Sequence, residues 1–220
     1  GKQIQVHKNK GLVAEAFPEE TLNRLKGHIA IGHVRFGDEA PPSLSNAQPL
    51  TFNYLRGSVA LAHNGKLVNG QELRHRLAVN GSIFQSDSEA EIFVNLIARY
   101  GQNPLEEALM KCMIDIKGAY ALVVMSENQL IGIRDPYGIR PLVLGKTDDN
   151  YILASESCAL DVLGAELIRD IRPGEMVIIE KDQIRSIQYS EKTQHRVCSF
   201  EYIYFARPDS EMDGISVHEA

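Results

Sequence analysis

Apolar residues along the chain recur first at one spacing, then at another. Ile29-Ala30-Ile31-Gly32-His33-Val34-Arg35 and Ser58-Val59-Ala60-Leu61-Ala62-His63 are continuous apolar runs and predict buried strands. Between them, Gly37 to Asn46 is rich in Gly, Pro, Ser, Asp and Glu and reads as a loop. Upstream, Ile4–His7 is strand-like, and Pro18 to Leu25 predicts a short helix opened by a proline. From Asn69 the period lengthens to that of a helix. One helix runs to about Val79, and a second starts near Ser88 with Ile92, Phe93, Leu96, Ile97 and Tyr100 on one face. A third carries Leu105, Ala108, Leu109, Cys112 and Met113. The period then shortens again. Ala119–Met125, Gln129–Ile133, Leu142–Gly145 and Tyr151–Ala154 predict short strands, Cys158–Leu163 a short helix, and Glu175–Ile179 with Gln183–Gln188 a hairpin. Strands, then helices, then strands point to an α+β layered domain rather than an alternating parallel sheet.

Composition narrows the function classes. The 220 residues are 44% hydrophobic and 24% charged, ordinary for a globular protein, with a formal net charge of -6. No basic tract occurs, which argues against nucleic acid as a partner. No apolar run approaches the roughly 20 residues that span a bilayer, and no apolar signal segment opens the chain. Three cysteines, Cys112, Cys158 and Cys198, are too sparse for a disulfide framework and suit a reducing, cytoplasmic compartment. The chain opens on Gly1 rather than Met and reads as a fragment.

Three segments carry candidate chemistry. In Ala62-His63-Asn64-Gly65, an apolar run ends in Asn-Gly. That pair makes a tight hairpin turn, or sets the Asn64 amide and the Gly65 N–H around one point as an oxyanion hole. Arg35 closes another apolar run. It is a surface ion pair or a clamp on a substrate carboxylate. Arg134-Asp135-Pro136-Tyr137-Gly138-Ile139-Arg140-Pro141-Leu142 reads as a turn with charges but no nucleophile. No metalloprotease, nucleophile-elbow or phosphate-loop motif occurs.

Together these segments resemble the class II glutamine amidotransferases, whose glutaminase domain is an N-terminal-nucleophile hydrolase. Ile31–Arg35, Ala62–Asn69 and Arg134–Leu142 are similar to motifs of that class. Gly81-Ser82-Ile83-Phe84-Gln85, Ala154–Ala159, Arg172–Met176 and above all Cys198–Ser210 resemble the amidophosphoribosyltransferase family in particular, and argue against the asparagine synthetases and the fructose-6-phosphate transaminases. The similarity runs over essentially the whole chain. It implies a four-layer αββα sandwich lacking its first strands. It also implies a glutaminase domain over residues 1–195, and over 196–220 the start of the connection to a phosphoribosyltransferase domain. The reaction implied is hydrolysis of glutamine to glutamate and ammonia, the ammonia then converting phosphoribosyl pyrophosphate to phosphoribosylamine in purine synthesis. The partners implied are glutamine, the phosphoribosyltransferase domain and further copies of the chain.

Residue by residue, Arg35 matches the arginine that holds the glutamine α-carboxylate. Asn64 and Gly65 match the oxyanion-hole donors, and Gly37–Asn46 matches the loop that closes over substrate. Cys198 matches a cysteine that ligates a 4Fe–4S cluster in some members, with its partner ligands in the C-terminal half; the resemblance implies no cofactor held within these residues alone, and it places such a cluster and Mg in the full-length protein. There are departures. The family nucleophile is an N-terminal cysteine, and none stands at the start of this chain, so the chain by itself is expected to be inactive. After Arg35 the family has Tyr and, two residues later, Thr, where Phe36, Gly37 and Asp38 stand here; Asp38 would repel a carboxylate. The aspartate that binds the glutamine α-amine falls on Glu89, with Asp87 as a near neighbour. Glu89 also reads as the end of a capping box begun by Ser86. Two readings follow: part of a working bifunctional enzyme, or a degenerate paralogue whose glutamine site has become a binding or regulatory one.

Overall fold

The computed structural model describes residues 4–35, 43–181 and 183–220. The chain forms two compact units that interleave along the sequence: Gly1–His63 with Asn69–Lys117 and Val124–Gln129, and Asn64–Val68 with Gly118–Val123 and Leu130–Ala220.

The first unit opens with two short helices, α1 (Val13–Ala16) and α2 (Glu19–Arg24). Pro18 stands at the N-cap of α2, Glu19 and Glu20 lie in its first turn and Arg24 in its last, each charge matched to the helix dipole. A hairpin follows: β1 (Leu50–Tyr54) pairs antiparallel with β2 (Gly57–Leu67), from Leu50↔Leu61 to Tyr54↔Gly57. Then come α3 (Gly70–Val79), α4 (Ala90–Arg99) and α5 (Leu105–Asp115). The stripes expected from their periodicity are buried: Ile92, Phe93, Leu96 and Ile97 on α4, and Leu105, Ala108, Leu109, Cys112 and Met113 on α5. α4 is the centre of this unit, packing on α3, α5 and β1.

The second unit holds the end of β2, most of β3 (Gly118–Met125) and β4 (Gln129–Arg134), then β5 (Val143–Lys146), β6 (Tyr151–Ala154), α6 (Cys158–Val162) and β7 (Glu166–Asp170). β8 (Glu175–Glu180) and β9 (Gln183–Gln188) form the expected hairpin. β10 (Glu211–Met212) and β11 (Ile215–Ser216) form a last one, turned by Asp213 and Gly214, both at positive φ as its tight turn requires. A three-stranded antiparallel sheet runs β6-β5-β7, with α6 against β6 and β7. Ala121, Leu142, Leu144, Ile171, Val177 and Ile179 form the core of this unit. The larger sheet has the order β1-β2-β3-β4-β8-β9.

Three expectations are corrected, the first being Ile4–His7, which is strand-like in sequence and lies in no strand. Residues 29–35 form no strand, and Val34 is 77% exposed. An apolar run becomes a strand only where another strand can take its N–H and C=O groups, and among the described residues none runs alongside it. Asn64-Gly65 does not turn the chain either: β2 continues through both to Leu67. No described helix is long and apolar enough to cross a membrane.

Candidate active site

In the first unit the site is built around Asn46, which is 4% exposed at the end of a single 3-10 turn, Leu44–Asn46. Arg35 Nη1 donates to the Asn46 carbonyl at 3.3 Å, and the Asn46 side-chain oxygen accepts the Asp87 N–H at 3.1 Å. One buried asparagine thus joins the segment carrying Arg35 to the loop carrying Asp87. That loop is held from two further sides. The Glu91 carboxylate accepts the Gln85 N–H at 2.6 Å, the Ser86 N–H at 2.8 Å and the Ser86 hydroxyl at 2.7 Å. Arg74 Nη2 donates to the Ser86 and Ser88 carbonyls. The backbone at Asp87 is therefore fixed while the residue stays exposed. Glu89 is half-buried at the N-cap of α4 and makes no side-chain capping bond. The capping box read from the sequence does not form, because the Ser86 hydroxyl goes to Glu91 instead. Asp38, with Phe36, Gly37 and most of the Gly37–Asn46 loop, lies outside the described residues.

Arg35 lines a cavity of about 230 Å³ together with Lys8, Lys10, His33, Ser43 and Gln48. No carboxylate is among its described lining residues, so its field favours an anion. Lys8 donates to the Ala47 carbonyl at 2.7 Å, and burial lowers its pKa. Beside the cavity, the Gln48 side chain grips the backbone of His63: its oxygen accepts the His63 N–H at 2.6 Å and its nitrogen donates to the His63 carbonyl at 3.1 Å. His33 also hydrogen-bonds the His63 backbone. The His63 ring is buried against Phe93, 5.1 Å between centroids.

Asn64 and Gly65 follow His63 directly in the chain and belong to the second unit, both half-buried in β2. Gly65 has φ +139°, and a Cβ there would run into the Ala119 carbonyl and the Tyr120 backbone. Gly118 repeats the arrangement against Lys66 and Leu67. Two backbones approach too closely here for any side chain, so glycine is required at both.

Elsewhere in this unit Arg134 is 1% exposed and all five of its donors are used. They reach the carbonyls of Gly138, Arg140 and Ile171 and, two-pronged, the Asp213 carboxylate at 2.8 Å. Asp135, fully buried, accepts the N–H groups of Tyr120, Tyr137 and Arg140. The charges of the 134–142 segment are structural.

Cys112 is buried in α5, and burial pushes its thiol far up from the ordinary value. Cys158 is buried at the start of α6, its Sγ 3.9 Å from the Glu156 carboxylate. The raised thiol pKa of Cys112 keeps it protonated. Cys198 is half-buried, and among the described residues no three His, Cys, Asp or Glu groups converge to hold a metal.

Three comparisons bear on this geometry. The family model for a glutamine amidotransferase domain matches residues 41–162, more than half of the chain. The amidophosphoribosyltransferase of Bacillus subtilis strain 168 is 44% identical over all of this chain, which spans 46% of that protein. That of Archaeoglobus fulgidus is 40% identical over 99% of it and 48% of its own length. The chain spans about half the length of these curated relatives. Among solved structures, the glutamine phosphoribosylpyrophosphate amidotransferase of B. subtilis, complexed with ADP and GMP, superposes with a TM-score of 0.91 at 45% identity, covering 96% of this chain and 46% of that one. The expected fold is borne out: mixed helices and antiparallel sheets of the N-terminal-nucleophile hydrolase type. The chain belongs to the glutamine amidotransferase domain family.

Proposed function

We propose that this chain is the glutamine-hydrolysing part of an amidophosphoribosyltransferase, releasing ammonia for the conversion of phosphoribosyl pyrophosphate to phosphoribosylamine. The observation that carries the reading is the cationic cavity at Arg35, tied through Asn46 to the Asp87 loop. A free amino acid carries a carboxylate and an ammonium side by side, and these residues suit one pole each. Arg35 takes the α-carboxylate, and Asp87 or Glu89 takes the α-amine. Attack on the side-chain amide carbon moves negative charge onto its oxygen, which the Asn64 amide and the Gly65 N–H stabilise. The reading assigns the attack to an N-terminal cysteine of the parent protein and not to Cys112, Cys158 or Cys198, which lie within the chain.

The test is a glutaminase assay on the full-length parent. Arg35→Ala removes a charge-assisted contact worth about 1.5–3 kcal/mol. The KM for glutamine should therefore rise roughly 10- to 150-fold, while synthesis from added ammonia stays at the wild-type rate. Unchanged glutamine kinetics would remove Arg35 from the site. A wild-type parent that binds but does not hydrolyse glutamine would favour the degenerate paralogue.

A further inference from the structure

The register of the β1–β2 hairpin ends at Leu50↔Leu61. Carried two residues further, it sets Gln48 opposite His63. Main-chain pairing stops before that point, and Pro49 has no N–H to extend it. The Gln48 side chain supplies both missing bonds instead, one acceptor and one donor, to the N–H and C=O of His63. His33 adds a further bond to the same backbone.

The His63 carbonyl belongs to the peptide group that joins His63 to Asn64. That group is planar, so fixing its carbonyl also fixes the direction of the Asn64 N–H and the position of the Asn64 Cα. We infer that Gln48 is a positioning residue for the oxyanion hole: its side-chain amide sets the His63–Asn64 peptide plane from which the Asn64 and Gly65 donors are aimed. This rests on the hydrolytic reading above. Gln48 lines the Arg35 cavity, but both polar atoms of its side chain are taken up by the His63 backbone, so in this scheme it offers the substrate no hydrogen bond and does not touch the reacting atoms. Its contribution appears when charge develops on the amide oxygen, because donors built for the transition state lose most when misaimed.

The experiment uses the full-length parent with glutamine as nitrogen donor. Gln48→Leu keeps the bulk and removes both bonds. Its kcat is expected to fall about 100-fold, within the range for loss of an oxyanion donor, while the KM for glutamine changes less than about two-fold. Gln48→Glu keeps the acceptor for the His63 N–H but sets a carboxylate against the His63 carbonyl. Its kcat relative to wild type, measured at each pH, should be low near pH 8 and recover as the pH falls, because a protonated carboxyl again offers one donor and one acceptor. A role in stability alone would give no such recovery. A loss confined to KM, an unchanged kcat in Gln48→Leu, or a flat pH ratio in Gln48→Glu would overturn the inference while leaving the hydrolytic reading intact. A wild-type parent with no glutaminase activity would overturn both.

Discussion

His33 bonds the His63 backbone and leaves Nδ1 buried with no hydrogen-bond partner among the described residues. Burial lowers its pKa from the ordinary 6.5; the His63 bond opposes that shift and the Arg35 charge adds to it. The folded pKa therefore lies below the unfolded one, and the unfolded chain binds the proton more readily. Stability from this residue is complete above pH 6.5 and drains away as the pH falls from there through the folded pKa. Thermal melts between pH 8 and 5 should show a smaller acid loss in His33→Gln than in wild type; equal slopes would mean that His33 is not the group responsible. Arg35, Asn64 and Gly65 stood out in the sequence because each closes an apolar run. Asn46 and Gln48 did not, because a buried asparagine and an exposed one look alike within Ser43-Leu44-Ser45-Asn46-Ala47-Gln48. Their work is defined by partners, Asp87 and His63, that no local pattern names.

α4 and the loop before it form one piece, joined by Glu91. A buried carboxylate holding two N–H groups and a hydroxyl contributes more than an exposed charge, and removing its charge leaves those donors facing an amide. Glu91→Gln should cost about 1.5–3 kcal/mol in urea-denaturation midpoint analysis and raise the glutamine KM through the Asp87 loop. A variant with unchanged stability would show that the loop holds without it. Glu91 carried no signal of this role: its i+4 neighbour is Asn95, off the Ile92-Phe93-Leu96-Ile97 stripe, so in the sequence it reads as an ordinary acid in a first helical turn. The helices themselves were legible because α3, α4 and α5 present a stripe that periodicity reveals. The Ile29–Arg35 run misled because composition reports apolarity and says nothing of a neighbouring strand. Asn64-Gly65 misled in the opposite direction. The pair that usually turns a hairpin here serves a strand pressed against another backbone.

Arg134 organises the second unit from a distance. Its partner Asp213 lies 79 positions away in the chain, and that separation is why the segment looked like an ordinary charged turn in the sequence. Arg134→Met would strand the Asp213 carboxylate and three carbonyls, a loss of about 3–5 kcal/mol. The β10–β11 hairpin should then lose its anchor, although His195 still faces Asp213 at 3.0 Å. Hydrogen exchange at Met212 and Ile215 should speed up well before the Ala121–Val177 core loosens, and a uniform increase would refute the idea of a local clasp. The interleaving of the two units has a corollary for genetics. β2 and β3 each change membership partway along, so no single breakpoint in the gene separates one unit from the other. A bisection screen across this region should return no cut whose two products each keep a whole unit, and recombination between relatives will tend to exchange both units or neither.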